Sequence, residues 1–451
     1  MLSVSQILEA TGGRLLSGKK SLILSGLSID SRAISKAEVF LAIKGERFDG
    51  HDFIEAVADK GVQCFIADIK KKIKIRKGLS YIAVKNPLKA LADIAYFKRR
   101  VSNIPLIAVT GSNGKTTTKD MLAWVLEGKF PVLKNEGTKN NHIGLPLTLA
   151  NLAPEQRLAV LEIGTNHFGE VNYLAKICQP NIGIITAIGP SHLEYFKTLK
   201  GVFKEKYTLI DMLKRPTIGI LNADDRFLKI KLRLKSQKPF LLGFSRAGNS
   251  DFFASEIIGD ESLQFVINGR YPCKLNSVGV HNISNALAVF AAARILGIEP
   301  EEITARLSSF IFPSGRLSLR QIHGVRFIDD TYNASPLSFL EALKTLDRIK
   351  GGRKILILGD MRELGSKSKA WHVNLGKEAA VICDTLIGVG AAASWSIEAA
   401  RNAGFDTANL FTCENALEAR GLLFNRIIPK DNDIVLVKGS RAMKMEEVFK
   451  T

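Results

Sequence analysis

The run Thr110-Gly111-Ser112-Asn113-Gly114-Lys115-Thr116-Thr117-Thr118 carries the strongest chemical signal in this 451-residue chain. It follows the apolar segment Leu106-Ile107-Ala108-Val109 and precedes a stretch in which Met121, Leu122, Val125 and Leu126 recur at helical spacing. Strand, glycine-rich loop and helix form the setting in which backbone N–H groups wrap an anion and a helix N-terminus adds partial positive charge. On this reading Gly111, Ser112, Asn113, Gly114 and Thr117 line a nucleotide phosphate. Lys115 reaches the β/γ-phosphates, and the Thr116 hydroxyl holds Mg²⁺. The spacing departs from the common G-x-x-x-x-G-K-[ST], because Val109 stands where that pattern has its first glycine. No N-K-x-D guanine-reading motif occurs, which favours ATP over GTP.

Two further residues have types suited to this chemistry. Glu162 ends the strand-like Leu158-Ala159-Val160-Leu161, at the edge where parallel sheets bind ligands. A hard carboxylate there, opposite Thr116, suits Mg²⁺. His192 lies in Gly189-Pro190-Ser191-His192-Leu193-Glu194, just past the apolar stretch 182–188. The plain alternatives are a solvated strand end for Glu162 and an ordinary loop residue for His192. Asn282, at the start of a helix-like segment, reads equally as a helix cap. No Ser or Cys nucleophile has a triad around it.

Three blocks emerge along the chain, as the length suggests. The first, to about residue 100, mixes short β-type runs (39–43 and 64–67) with turn signals and ends in a helix from Pro87 to about Arg100. The second, 101–313, alternates strands (106–109, 158–163, 182–188, 218–221) with helices, one of them following Asn282 and stopping at Gly297. The third, 314–451, follows the linker Phe312-Pro313-Ser314-Gly315. It repeats the alternation with strands near 325–328, 355–358, 386–389 and 434–437, and a helix starting at Ser335-Pro336. Such alternation predicts an α/β protein with largely parallel sheets and a Rossmann-like third domain.

Composition narrows the class. Hydrophobic residues make up 46% and charged residues 24%, a soluble globular balance. No apolar run is long enough to span a membrane and no secretion signal is evident, so a cytoplasmic location is expected. The five cysteines form no CxxC pair, which speaks against zinc knuckles and a disulfide framework. The net charge of +19 favours anionic partners. Its densest cluster, Lys70-Lys71-Lys72-Ile73-Lys74-Ile75-Arg76-Lys77, reads as a solvated surface segment, and nucleic-acid recognition elements are absent.

T-G-S-N-G-K-T-T-T resembles the phosphate loop of the Mur ligases and of the related folylpolyglutamate synthases, which make amide bonds by first phosphorylating a carboxylate. E-I-G-T-N-H-F-G-E (Glu162 to Glu170) and G-P-S-H-L-E are similar to Mur ligase metal elements. There the resemblance implies Mg²⁺, with two ions expected, held by Thr116, Glu162, His192 and Lys206 as a carbamate; Lys204 is a competing candidate. G-V-H-N-I-S-N-A (Gly279 to Ala286) matches the family's adenine element and implies Asn282 and Asn285 as ATP contacts. Arg316 and Asp330 match third-domain residues that reach phosphate and ribose, which implies a closing lid. Lys115, Glu162, His192, Lys206 and Arg316 are thereby the implied catalytic set.

Asp329-Asp330-Thr331-Tyr332-Asn333-Ala334-Ser335-Pro336, Leu356 to Gly365 and Val437-Lys438-Gly439-Ser440-Arg441 resemble the family member that adds D-alanyl-D-alanine to UDP-N-acetylmuramoyl-tripeptide. The D-N-P-R segment of the diaminopimelate-adding relative is absent. Ile29-Asp30-Ser31-Arg32 and Lys44 to His51 are similar to a uridine-nucleotide-binding domain, and Asn140-Asn141-His142 to a substrate element. The implied substrate contacts are Ser31, Arg32, Phe48, Asn140, Asn141, Thr165, Tyr332 and Asn333. The implied organisation is a UDP-substrate-binding domain (1–100), a central ATP-binding domain (101–313), and a C-terminal domain (314–451) that closes over ATP and binds the dipeptide. A monomer without nucleic-acid partners is expected. The competing readings are a sister ligase adding a single amino acid and, from a different class, a basic P-loop ATPase on nucleic acid.

Overall fold

A computed structural model describes residues 1–234, 239–248 and 250–450. They form three α/β domains, each built on a mainly parallel sheet. The first sheet has the order Arg14–Ser17, Ser80–Val84, Cys64–Asp68, Glu38–Leu41, Gly26–Ser28, with Arg14–Ser17 antiparallel at one edge. The crossover from Cys64–Asp68 to Ser80–Val84 contains no helix and carries the basic cluster. Its lysines lie at the surface, but Lys71 pairs with Asp49 (2.7 Å) and Arg76 with Glu55 (2.7 Å) and Asp59 (2.6 Å).

The helix expected from Pro87 runs Pro87–Ser102, with the Asn86 side chain accepting from Lys89 N and Pro87 in the first turn. It is the joint between the first two domains. Leu91, Ile94 and Ala95 pack into a core that also contains Leu27 and Val39 of the first sheet and Leu145, Leu149 and Leu174 of central-domain helices. Buried Arg99 donates from Nε to Cys178 O (2.8 Å), and Asn151 bonds both the N–H and the C=O of Leu27 (2.8 and 2.9 Å). The two domains therefore share one apolar core.

The central sheet has the order Tyr271–Leu275, Leu263–Ile267, Phe252–Ile258, Phe240–Ser245, Ile218–Asn222, Ile182–Ile185, Leu106–Thr110, Leu158–Glu162, Val132–Lys134. Leu106–Thr110 and Leu158–Glu162 are buried throughout, because helices cover both faces. One expectation needs correction. The strand expected over 182–188 stops at Ile185, because the Thr186 hydroxyl turns to bond Thr110 O (3.3 Å) and Asn113 O. The far edge is not parallel: Leu263–Ile267 pairs antiparallel with both neighbours. Asn268-Gly269, with φ of +52° and +64°, makes the turn; Asn-Gly favours such turns.

The third sheet has the order Ser318–Ile322, Val325–Asp330, Ile434–Lys438, Lys354–Gly359, Thr385–Val389, Leu410–Cys413, with an antiparallel first strand. The last strand in sequence inserts beside the second, so Asp330 and Lys438 are register partners at the C-terminal strand ends. Ser335 caps the helix Pro336–Arg348 as expected, with Pro336 in its first turn.

Candidate active site

A cleft of about 1250 Å³ lies where the phosphate loop faces the third domain. The loop leaves Leu106–Thr110 and enters helix Lys115–Glu127. Both glycines are required by what surrounds them. Gly114 has φ +80° and a Cβ there would lie 2.5 Å from Asn285 Oδ1; a Cβ on Gly111 (φ +151°) would collide with Thr186 Oγ1. Lys115 Nζ turns back onto Gly111 O (2.9 Å) and Ser112 O (3.3 Å). Burial lowers its ammonium below the ordinary lysine value, with Glu162 opposing that shift and Arg316 reinforcing it. Ser112 Oγ donates to Gly189 O and accepts from Gly189 N, both at 2.9 Å.

Asn282 is not a helix cap. Helix His281–Ile295 begins one residue earlier without a side-chain cap, and Asn282 is buried in a polar chain instead. Its Nδ2 donates to Ser277 Oγ (2.8 Å), its Oδ1 accepts from Asn285 Nδ2 (2.9 Å), and Asn285 Oδ1 accepts from Thr118 Oγ1 (3.2 Å). That chain ties the helix to the phosphate loop and leaves both asparagines on the cleft wall.

Glu162 is 1% exposed, and Asn140 Nδ2 donates to its Oε1 at 2.6 Å. Its other oxygen is buried and has no hydrogen-bond partner among the described residues. An orphaned carboxylate oxygen is costly unless a cation takes it. The described residues include no cluster of three or more His, Cys, Asp or Glu suited to a metal. A Mg²⁺ ion fits this situation, since it binds through one or two protein ligands, phosphates and waters.

The structure separates the two candidate lysines. Lys204 points outward, whereas Lys206 is 1% exposed on helix Leu199–Asp211, with no hydrogen-bond or ion-pair partner among the described residues. Burial, aided by Lys115, pushes its ammonium well below the ordinary value against the pull of Glu205 and Glu162. Burial that disfavours the ammonium suits a lysine able to add CO₂ as an anionic carbamate, the form the resemblance implies. Neighbouring Glu205, also buried, holds the loop over 163–169 by accepting from Gly169 N and Val171 N (both 2.8 Å) and lies 3.4 Å from Thr165 Oγ1.

On the third-domain wall, the Arg316 guanidinium stacks 3.9 Å over the Tyr332 ring. Lys438, 1% exposed, pairs with Asp330 at 2.5 Å and donates to Asn333 O at 2.9 Å. Burial raises the Asp330 carboxyl and Lys438 offsets it. Two of the contacts across the cleft involve site residues expected from the sequence. In the amide orientation that satisfies both its ends, Asn113 donates to Ser335 Oγ and accepts from Ser338 N, each at 3.1 Å. His192 Nδ1 lies 2.6 Å from Glu363 Oε2.

The cleft thus gathers Ser112 to Thr117, Asn140, Asn141, Glu162, Thr165, His192, Asn282, Asn285, Arg316, Asp330, Tyr332 and Asn333; Gly111 and Lys206 do not line it, although Lys206 is near enough to feel the charges of Lys115 and Glu162. Ser31, Arg32 and Phe48 do not line it. Arg32 folds onto Asp30 (2.8 Å) and Phe48 is 72% exposed; Glu46 is the first-domain residue that reaches the cleft. Thr186, Lys438, Glu205 and Glu363 escaped the sequence reading. Lys438 stood in a quoted motif, but its pairing with Asp330 follows from strand order alone.

Models of three families match the chain: the Mur ligase family catalytic domain (residues 23–99), the Mur ligase middle domain (109–293) and the Mur ligase glutamate ligase domain (315–441). The UDP-N-acetylmuramoyl-tripeptide--D-alanyl-D-alanine ligase of Bacillus subtilis is 32% identical, covering 99% of this chain and 97% of that protein. The enzyme of that name from Escherichia coli is 33% identical, covering 100% and 98%. Among solved structures, MurF from Acinetobacter baumannii superposes with a TM-score of 0.89 at 32% identity, covering 99% of this chain and 98% of that one. MurF ligase from Thermotoga maritima, in complex with ADP, gives 0.83 at 29% identity over 96% and 97%. MurC from Thermotoga maritima, at 18% identity and a TM-score of 0.60, shares the fold.

Proposed function

Because the chain belongs to the Mur ligase family, we propose that its cleft joins D-alanyl-D-alanine to UDP-N-acetylmuramoyl-tripeptide at the expense of ATP. The products are the UDP-muramoyl-pentapeptide, ADP and phosphate. The observation that carries this reading is the juxtaposition of a phosphate loop, an orphaned Glu162 oxygen and buried Lys206 with the Arg316–Asp330 wall. Full-length similarity to ligases named for this reaction supports the substrate choice over a sister ligase.

In this reading the phosphate loop binds the ATP phosphates through its backbone N–H groups, and Lys115 leaves the Gly111 and Ser112 carbonyls for the γ-phosphate. Asn282 and Asn285 contact adenine, Asp330 the ribose, and Arg316 a phosphate once the third domain closes. The tripeptide carboxylate attacks the γ-phosphorus, giving an acyl phosphate and ADP. The dipeptide amine then adds to the acyl carbon, loses a proton and expels phosphate. Positioning and charge neutralisation dominate, since no protein nucleophile takes part. Thr116 and Glu162 would hold one Mg²⁺, and His192 with carbamylated Lys206 a second; these ions supply neutralisation of phosphate charge. Residues 1–100 bind the UDP moiety through Ser31, Arg32 and Phe48. Residues 101–313 bind ATP, with Asn140, Asn141 and Thr165 facing the peptide. Residues 314–451 receive the dipeptide near Tyr332 and Asn333.

No described helix is long and apolar enough to cross a membrane; a cytoplasmic monomer is the corresponding proposal. The test is phosphate release from ATP and Mg²⁺ by purified protein, with the UDP-tripeptide and D-alanyl-D-alanine supplied together and singly. Release only with both, and a UDP-pentapeptide by mass, is expected. Release with a single amino acid would move the assignment to a sister ligase. Release stimulated by nucleic acid alone would replace it with the ATPase reading.

A further inference from the structure

Two non-glycine residues in the left-handed region face each other where the third domain meets the central one: His192 at φ +49° and Glu363 at φ +63°. Each is a strained backbone position of the kind retained where geometry is used. His192 opens the short helix Leu193–Phe196, its ring edge-on to Phe196 at 6.3 Å, and Nδ1 is buried with Glu363 Oε2 2.6 Å away. The approach lies off the axis of an ideal hydrogen bond, since this nitrogen has no aligned partner among the described residues. The Glu363 segment is itself pinned: Met361 N donates to His372 Nε2 (3.0 Å) and Arg362 N to Ser440 Oγ (2.8 Å). Gly365, at φ +57°, packs so closely that an added Cβ would lie 3.2 Å from Glu194 Cα.

We infer that Glu363 is a positioning residue for His192, so that the central domain's metal site is completed by a carboxylate of the third domain. The inference rests on the proposed role of His192 as a metal ligand. An imidazole can ligate through only one nitrogen while the other carries its proton. A carboxylate accepting from Nδ1–H fixes the tautomer with the Nε2 lone pair free for a cation and makes that nitrogen a better donor. Here the carboxylate belongs to another domain from the imidazole. Metal binding and domain docking are then linked, each favouring the other by the same factor. Removing such an outer partner elsewhere weakens metal affinity about 10- to 100-fold.

The test uses the full chain and Mn²⁺ as probe, titrated by electron paramagnetic resonance with and without a non-hydrolysable ATP analogue. Glu363→Gln keeps the side chain's size and the backbone strain, so equal melting temperatures certify folding. Glu363→Gln is expected to weaken Mn²⁺ binding about tenfold or more. His192→Ala is expected to weaken it at least as much, and Glu363→Gln to add nothing further in that background. ¹⁵N spectra of labelled histidine should show His192 protonated at Nδ1 in the wild type and a tautomer mixture in Glu363→Gln. Unchanged affinity in Glu363→Gln, with loss in His192→Ala, would overturn the positioning role while sparing the ligand reading. Unchanged affinity in both would remove His192 from the metal site and this inference with it.

Discussion

The first and third domains meet the central one in opposite ways. Helix Pro87–Ser102 merges the first domain into the central core, and buried Arg99 and Asn151 hydrogen-bond across the joint. The third domain keeps cores largely its own, taking in Val278 of the central domain, and otherwise faces that domain mainly through polar contacts at Asn113 and His192, the pairs Arg246–Glu341 (3.8 Å) and Arg326–Glu261 (3.3 Å), and Arg348 on Val278 O. An apolar joint is expensive to open, whereas polar contacts exchange readily with water. The molecule thus couples a platform with an apolar joint, bearing the phosphate loop, to a wall held mainly by polar contacts.

The largest effect is expected inside the third domain. Lys438→Met leaves the buried Asp330 carboxylate without its partner, a change worth about 3–5 kcal/mol. Calorimetry should show an early transition for the third domain alone, and Asp330→Asn in the same chain should recover most of the loss. A single cooperative transition, shifted as a whole, would contradict the separation. Arg316→Ala is next: turnover should fall about 10²-fold, or roughly 2.7 kcal/mol, with melting unchanged. Unchanged turnover would take Arg316 off the closing wall. Arg99→Ala tests the joint, since it removes the guanidinium that donates to the Cys178 and Gln179 carbonyls. It should cost about 1–3 kcal/mol and lower the stability of the first two domains together.

The smallest effect is one of pH. His372 is fully buried and accepts from Met361 N through Nε2, and burial lowers its pKa below the ordinary value of 6.5. The folded state then binds fewer protons than the unfolded state below about pH 6.5, so stability falls as pH drops through that window toward the folded pKa. Melting of the third domain should decline with acidification over this range, and His372→Gln should flatten the decline while the first two domains are unaffected.

What could be read from the sequence divides along similar lines. The phosphate loop, its strand and its helix were legible because their residues are contiguous and their period is local. Ser335-Pro336 announced its helix for the same reason. Thr186, which closes the loop from a neighbouring strand, and Lys438, which neutralises Asp330, were not legible. Their roles depend on strand order, in which the last strand inserts beside a distant one, and local spacing does not encode that order. Asn282 was ambiguous because an asparagine before an apolar run is also a good cap; the buried chain from Ser277 to Thr118 takes its side chain instead. The antiparallel edge did have a signal, Asn268-Gly269, overshadowed by the alternation around it. In the first domain the resemblance pointed to Ser31, Arg32 and Phe48, yet only Glu46 of that region lines the cleft.

The most direct test of the account follows one oxygen atom. UDP-muramoyl-tripeptide labelled with ¹⁸O in its terminal carboxylate is turned over with ATP and D-alanyl-D-alanine, and the released phosphate is weighed. Phosphorylation of the carboxylate on the platform, followed by attack of the amine, predicts one ¹⁸O in each phosphate. Phosphate free of label would contradict the acyl-phosphate route.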